Sequence, residues 1–352
     1  MKIVHITYLL TFGGIETMLV NIANEQVWLG HDVEIIIVER DAIDMRLRRR
    51  LDSRIKILEA HRRKNRKDPV AVAKINWFLL KARPDAIHIH SSGLMRSILL
   101  PWHRRITCST LHDLPFDGNT VAIASVPRVF SISEAVQRQL KEKYRVESQV
   151  IHNGIYPEKV KVRSVKDKSD DFRIVMVSRL DHQKKGQDIL IDALSMLKTR
   201  GFENITLDFI GDGESGIFLQ HLCEERGLNE KVRFLGTKTQ EYIFEHLAEY
   251  DLFVQPSRKE GFALTVAEAM AARVPVLVSS GQGPEEVVEY GRCGYIFKNG
   301  DSADCAKKIE QCILAGEDEN MTERACKRVW TLYNVKETAR QYLDNYFYKR
   351  RG

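Results

Sequence analysis

The segment Arg258-Lys259-Glu260-Gly261-Phe262-Ala263-Leu264-Thr265-Val266-Ala267-Glu268-Ala269-Met270 carries residue types that can hold a phosphorylated, hydroxyl-rich ligand. It follows an apolar stretch, Leu252–Val254, that reads as a strand, and it opens a helix predicted to start near Phe262. Gly261 permits close backbone approach, and the first N–H groups of that helix, at Phe262 to Leu264, would form an anion site suited to a diphosphate. Glu260 sits just before the helix and Glu268 about two turns into it. Carboxylates beside a phosphate need other work, and accepting hydrogen bonds from vicinal hydroxyls is such work. Taken alone, such a pair is more often a solvated loop residue and an exposed helix residue than a site.

A second loop, Val177-Ser178-Arg179-Leu180-Asp181-His182-Gln183-Lys184-Lys185-Gly186, also lies between a strand and a helix. Its cations could neutralise a departing diphosphate in place of a divalent metal. Near the start, Gly13-Gly14 links the first strand to the first helix without the dinucleotide fingerprint or the Walker pattern, so neither a nicotinamide cofactor nor a nucleoside triphosphatase is indicated. Thr110-Leu111-His112-Asp113 follows another strand and offers a loop histidine, which could equally be polar surface.

These loops require strands and helices in alternation, and the chain supplies them. Strands are predicted near residues 2–8, 33–38, 86–89, 106–110 and 129–131, then 172–177, 205–210, 232–235, 251–254 and 275–278. Between two of them, Ile189, Leu190, Ala193, Leu194 and Leu197 form an apolar helical stripe. The polar, lysine-rich stretch from Tyr156 to Asp171 reads as a connection, giving one Rossmann-like domain over 1–155 and a second over 156–335. In folds of this kind the ligand lies at the carboxyl ends of the strands, here expected to face one cleft.

The bulk properties agree. A chain of 352 residues with 43% hydrophobic and 29% charged residues suits a soluble globular protein of two domains. Six scattered cysteines without metal-ligand spacing fit a reducing cytoplasm. The apolar start is interrupted by His5 and Thr7 and reads as a strand, not a signal peptide, and no stretch is long enough to cross a bilayer. Residues 1–165 hold 27 basic against 17 acidic side chains, the remainder 27 against 31. Much of that surplus lies in Arg46–Lys67, where Met45, Leu47, Leu51, Ile55, Ile57 and Leu58 accompany the charges. This run could lie peripherally on an anionic membrane or be a solvated basic loop. Nucleic acid is not expected, because no recognition helix, stacking platform or zinc module accompanies the charge.

With these loops in order, the sequence resembles the family 4 glycosyltransferases over nearly its whole length. The resemblance rests on Gly13-Gly14, Thr110–Asp113, Ser131-Ile132-Ser133, Val150–Ile155, Arg179 with Lys185-Gly186, Gly211-Asp212-Gly213, and Glu260-x7-Glu268. It implies the α/β GT-B fold, two facing Rossmann-like doubly wound domains, with a final helix over about 336–352 packing back on the first. It implies a retaining transfer from a nucleotide-diphosphate sugar to a saccharide or lipid-linked acceptor in cell-surface polysaccharide or lipopolysaccharide assembly, with no metal or other cofactor. Arg179, Lys185, the backbone at Ala263 and Leu264, and the Gly14 loop would grip the diphosphate. Glu260 would bind the donor sugar near its reacting carbon, Glu268 the ribose, and His112 the sugar. Ala263 stands where many members carry glycine. A glycoside phosphorylase, an epimerase, or a non-catalytic protein that binds a nucleotide or an anionic surface are the alternatives.

Overall fold

The computed structural model describes residues 1–11, 13–63, 68–113, 120–164 and 171–346. The chain divides into two units, Met1–Gly154 with Val335–Gly352, and Ile155–Asn334. The crossings fall at Gly154 and at Asn334, so the last helix belongs with the first unit.

In chain order the first unit holds β1 (Lys2–Thr7), α1 (Gly14–Trp28), β2 (Asp32–Glu39), α2 (Met45–Arg50), β3 (Lys56–Arg62), α3 (Pro69–Ala82), β4 (Ala86–Ile89), α4 (Pro101–Arg105), β5 (Thr107–Leu111), α5 (Thr120–Ala124), β6 (Arg128–Ser131), α6 (Glu134–Tyr144) and β7 (Gln149–Val150). The second holds β8 (Phe172–Val177), α7 (His182–Lys185), α8 (Gln187–Thr199), β9 (Ile205–Ile210), α9 (Gly216–Glu225), β10 (Val232–Phe234), α10 (Gln240–His246), β11 (Leu252–Gln255), α11 (Leu264–Ala271), β12 (Val276–Ser279), α12 (Gly283–Val287), β13 (Tyr295–Phe297), α13 (Ser302–Ala315) and α14 (Glu319–Leu332). The chain then returns to the first unit as α15 (Val335–Asn345).

Each unit is built on one parallel sheet, ordered β3-β2-β1-β4-β5-β6-β7 in the first and β10-β9-β8-β11-β12-β13 in the second. The central strands are Val- and Ile-rich and buried on both faces, as a sheet covered by helices on two sides demands. The stripe predicted on α8 is wholly buried, with Ile189, Leu190, Ala193, Leu194 and Leu197 packed among Ile174, Met176, Leu207 and Phe209. In each sheet the strand order reverses beside its first strand, at β1/β4 and at β8/β11. Those are the places where loops leaving neighbouring strands diverge and leave a crevice.

Three strands escaped the sequence reading, among them β7, which is two residues long. β13 is three residues long. β3, Lys-Ile-Leu-Glu-Ala-His-Arg, lies at a sheet edge, where charged side chains guard the unpaired side and interrupt the apolar pattern.

β3 also corrects the view of Arg46–Lys67 as a surface pairing charge with exposed apolar residues. Leu47 and Ile55 are buried, Leu51 and Ile57 pack against the same core, and Met45 alone of that group is strongly exposed. Arg46 pairs with Asp44 at 2.7 Å, Arg54 with Asp52 at 2.9 Å and Arg62 with Glu39 at 2.8 Å. Residues 64–67 of the run lie outside the described residues, as do 165–170 of the connection and 347–352 of the terminal segment.

Candidate active site

Lys185 and Glu260 reach the crevice of the second sheet from its two sides. Asp181 caps the single turn of α7, its carboxylate accepting from the Lys184 amide at 3.2 Å, and so sets Lys185 at the end of the loop from β8. Gly186 then turns left-handed at φ +72, and a side chain there would meet the Pro256 carbonyl oxygen at 2.1 Å, so the loop seats directly on the segment leaving β11. Arg258 fastens the two from the other side. Its guanidinium donates to both carboxylate oxygens of Asp188 at 2.7 Å and to the His182 carbonyl at 2.8 Å, while its backbone N–H reaches the Lys184 carbonyl at 2.9 Å. Arg258 is a positioning residue that the sequence reading passed over; its signal was only its place two residues before Glu260.

Glu260 is held from a third loop. Its backbone N–H donates to Gln282 Oε1 at 3.1 Å, and its carbonyl accepts from the Gly283 N–H at 3.0 Å. Gly283 passes so close to Gly261 that a Cβ would lie 2.1 Å from the Gly261 carbonyl oxygen. With its backbone so fixed, Glu260 places its carboxylate in a direct ion pair with Lys185. Both side chains are mostly buried, at 20% and 14% exposure. Arg179, one loop turn away, is exposed and has no ion-pair partner among the described residues.

α11 begins at Leu264, two residues later than the sequence suggested, because Ala263 is its N-cap and Phe262 is buried against Tyr333 with ring centroids 5.1 Å apart. The free amides of the helix start therefore shift forward. No side chain caps the helix, and the N–H groups of Leu264 and Thr265 have no partner among the described residues. Phe262 serves as a core anchor, and Gly261 as the close-approach point against Gly283. Glu268 lies one turn into α11, not two, and it is buried, accepting from Gln240 Nε2 at 3.0 Å. The alternative of an exposed helix residue is thereby removed.

Ala263 occupies φ +67, ψ 85, a left-handed conformation that costs a residue with a Cβ roughly 1–2 kcal/mol. Ala263→Gly is accordingly expected to raise stability by about 1 kcal/mol in chemical denaturation; an unchanged or lower midpoint would mean that the buried methyl offsets the strain.

In the first unit, Gly13 is the extended N-cap of α1 and Gly14 its first residue, again without a side-chain cap. His112 follows β5 and joins a buried array that sequence reading missed. His112 Nε2 lies 3.0 Å from His90 Nδ1, His90 Nε2 lies 3.0 Å from His5 Nδ1, and His5 Nε2 lies 2.8 Å from Gln26 Oε1. Gln26 Nε2 donates to the Tyr346 hydroxyl at 2.9 Å, which contacts His88 Nδ1 at 2.9 Å, and His88 Nε2 lies 2.7 Å from Thr110 Oγ1. Period-two spacing of His88 on β4 and His90 just after it was the available signal. Burial holds all four histidines neutral, with His5 and His112 lowered to about 4 and His88 and His90 well below the ordinary range. His5, His88 and His90 have ring nitrogens within 4.8 Å of one another, a spacing that could hold a metal, yet all six are engaged by these hydrogen bonds.

Two parallel, doubly wound sheets of seven and six strands define the GT-B architecture. The solved structure of HepE from Anabaena in complex with UDP and glucose superposes with a TM-score of 0.80 at 24% identity, covering 98% of both chains. The chain belongs to the glycosyltransferases: the Glycosyltransferase Family 4 model matches residues 12–159 and the Glycosyl transferases group 1 model residues 158–328. It is 30% identical over 175 residues to the N-acetyl-alpha-D-glucosaminyl L-malate synthase of Bacillus anthracis, 49% of this chain and 45% of that protein. With the lipopolysaccharide core biosynthesis glycosyltransferase LpsE of Rhizobium meliloti it shares 26% over 290 residues, 80% of both chains. The matches to the first curated relatives span about half of those proteins' lengths. No helix among the described residues is long and apolar enough to cross a membrane.

Proposed function

We propose that the protein transfers a sugar, with retention of anomeric configuration, from a nucleotide-diphosphate sugar to a saccharide or lipid-linked acceptor in cell-surface glycan assembly. The observation that carries this reading is the Lys185–Glu260 pair at the switch point of the second sheet, with the exposed guanidinium of Arg179, unpaired among the described residues, and the start of α11, which no side chain caps. The chemistry of that set matches a diphosphate with a sugar attached. Cations and helix amides offer charge-assisted donors to the phosphates, and the Glu260 carboxylate offers an acceptor to a sugar hydroxyl. Glu268, buried on the same helix, is assigned to the ribose hydroxyls, and His112 to the sugar. The HepE complex with UDP and glucose supports the ligand class, and relatives such as LpsE support the pathway class.

In this scheme the leaving diphosphate is stabilised by Lys185, Arg179 and the amides of Leu264 and Thr265, with no metal required, and it takes the acceptor's proton as the new bond forms on the same face. Glu260 orients the donor and is not the nucleophile. Peripheral contact with an anionic membrane would rest on the part of the basic run that has no ion-pair partner among the described residues, such as Arg48 and Arg49.

The first test is thermal stabilisation by a panel of nucleoside diphosphates and nucleotide sugars. A shift larger with one nucleotide sugar than with its bare diphosphate supports the reading and names the donor; no shift with any member overturns it. In the transfer assay, Glu260→Gln is expected to lower kcat by at least tenfold while leaving nucleoside diphosphate affinity within twofold, because the lost acceptor faces the sugar. Equal losses in both would move Glu260 to the nucleotide. Chelation is expected to leave the rate unchanged, and inhibition reversed by manganese would contradict the metal-free scheme.

A further inference from the structure

The histidine array of the first unit has a direction. The Gln26 amide is the one group in it whose two ends differ chemically, since its oxygen only accepts and its nitrogen only donates. With Oε1 against His5 Nε2, that nitrogen must carry the proton, leaving His5 Nδ1 as an acceptor. A neutral imidazole has one N–H, so His90 must donate from Nε2 to His5 and accept at Nδ1. His112 must then donate from Nε2 to His90. On the other side, Gln26 Nε2 donates to Tyr346, Tyr346 to His88 Nδ1, His88 Nε2 to Thr110, and Thr110 to the Tyr342 hydroxyl at 3.0 Å. All seven hydrogen bonds run the same way, from His112 toward α15.

The consequence falls on His112 Nδ1. It carries no proton, it is buried, and it has no partner among the described residues. Donation by its own Nε2 strengthens it as an acceptor, since hydrogen bonds in a chain polarise one another. The neighbouring Asp113 carboxylate is the charged group that acts on this ring.

We propose that His90, His5, Gln26 and Tyr346 are positioning residues that lock His112 in the Nε2–H tautomer, so that its bare Nδ1 accepts a hydrogen bond from a hydroxyl of the bound sugar. The role of the sugar rests on the function proposed above; the lock itself does not. It also gives the terminal helix a part in the site, because Tyr346 completes the chain through Gln26 from 320 residues away. Reversal of the Gln26 amide would turn every bond around and make His112 Nδ1 a donor, so the array has two self-consistent states that differ at that atom.

The tautomer is read directly from two-bond 1H–15N correlations of the imidazoles in the full-length protein at pH 7.5, with His112 assigned by loss of its signals in His112→Gln. A protonated Nε2 and an unprotonated Nδ1 are expected on His112; a protonated Nδ1, or averaging between the two forms, overturns the lock. In transfer assays, His90→Phe is expected to lower kcat/KM about tenfold, the worth of one neutral hydrogen bond, without changing nucleoside diphosphate affinity. His90→Gln, whose amide oxygen can still accept from His112, should recover part of it. In a His112→Phe background the His90→Phe effect should vanish, and a persisting loss would make His90 merely structural. The spectrum needs no turnover, so failure of the transferase reading appears in the assay alone and failure of the lock appears in the spectrum.

Discussion

Lys185→Ala is expected to lower kcat/KM for sugar transfer by about ten- to a hundredfold, with most of the loss in donor binding. A charge-assisted hydrogen bond to phosphate contributes roughly 1.5–3 kcal/mol, and 1.4 kcal/mol is a factor of ten. The same substitution strands the Glu260 carboxylate, which is 14% exposed and held in place by Gln282 and Gly283 through its backbone. An uncompensated, partly buried charge destabilises the fold, so the melting temperature should fall as well. The double variant Lys185→Ala with Glu260→Gln separates the two effects. It removes the stranded charge and should recover most of the lost stability, while transfer stays as low as in the single variant or lower. Recovery of both, or loss of neither, would show that the pair is a structural ion pair and not a phosphate site. Arg179→Ala should weaken donor binding without a stability loss, since Arg179 has no ion-pair partner among the described residues.

The second large effect is acid lability of the first unit. His5, His88 and His90 are almost wholly buried and titrate below the ordinary value near 6.5. A group whose folded pKa is depressed contributes stability that is present above its unfolded pKa and lost as the pH falls. Between pH 6.5 and about 4 the unfolded chain binds protons that the folded chain does not. At pH 5 His5 favours the unfolded state by roughly 2 kcal/mol, and His88 and His90 act in the same direction. Calorimetry at pH 7.5 and 5.0 should show the transition of the first unit moving sharply down. Among the described residues the second unit holds no fully buried histidine, so its transition serves as the internal reference. A first-unit transition independent of pH over that range would mean that the array takes up protons in the folded state.

The sequence by itself determined the alternation of strands and helices, the division near residue 155, and the segments that bear Arg179, Lys185, Glu260 and Glu268, because these depend on local periodicity, turn residues and motif spacing. It placed the strands Ala86–Ile89, Phe172–Val177 and Ile205–Ile210 at their observed bounds, where apolar runs are short and cleanly bounded. Local signals gave out at β3, whose edge position is a property of the sheet and whose charges break its pattern. They gave out again at α11, where the left-handed Ala263 delays the helix by two residues.

Tertiary structure alone decided which side chains meet. Lys185 and Glu260 are 75 residues apart and touch because β8 and β11 are neighbours at a reversal of strand order. The partners of Arg258 and the burial of Glu268 under Gln240 follow from the same stacking of loops. The histidines of β1, β4 and the loop after β5 join only because parallel strands place them in adjacent rows, and the direction of their hydrogen bonds is set by one amide and a tyrosine from the far end of the chain. Spacing along the chain carries no information about such meetings, since contacts across a sheet depend on strand order and register, which the packing of the whole unit fixes.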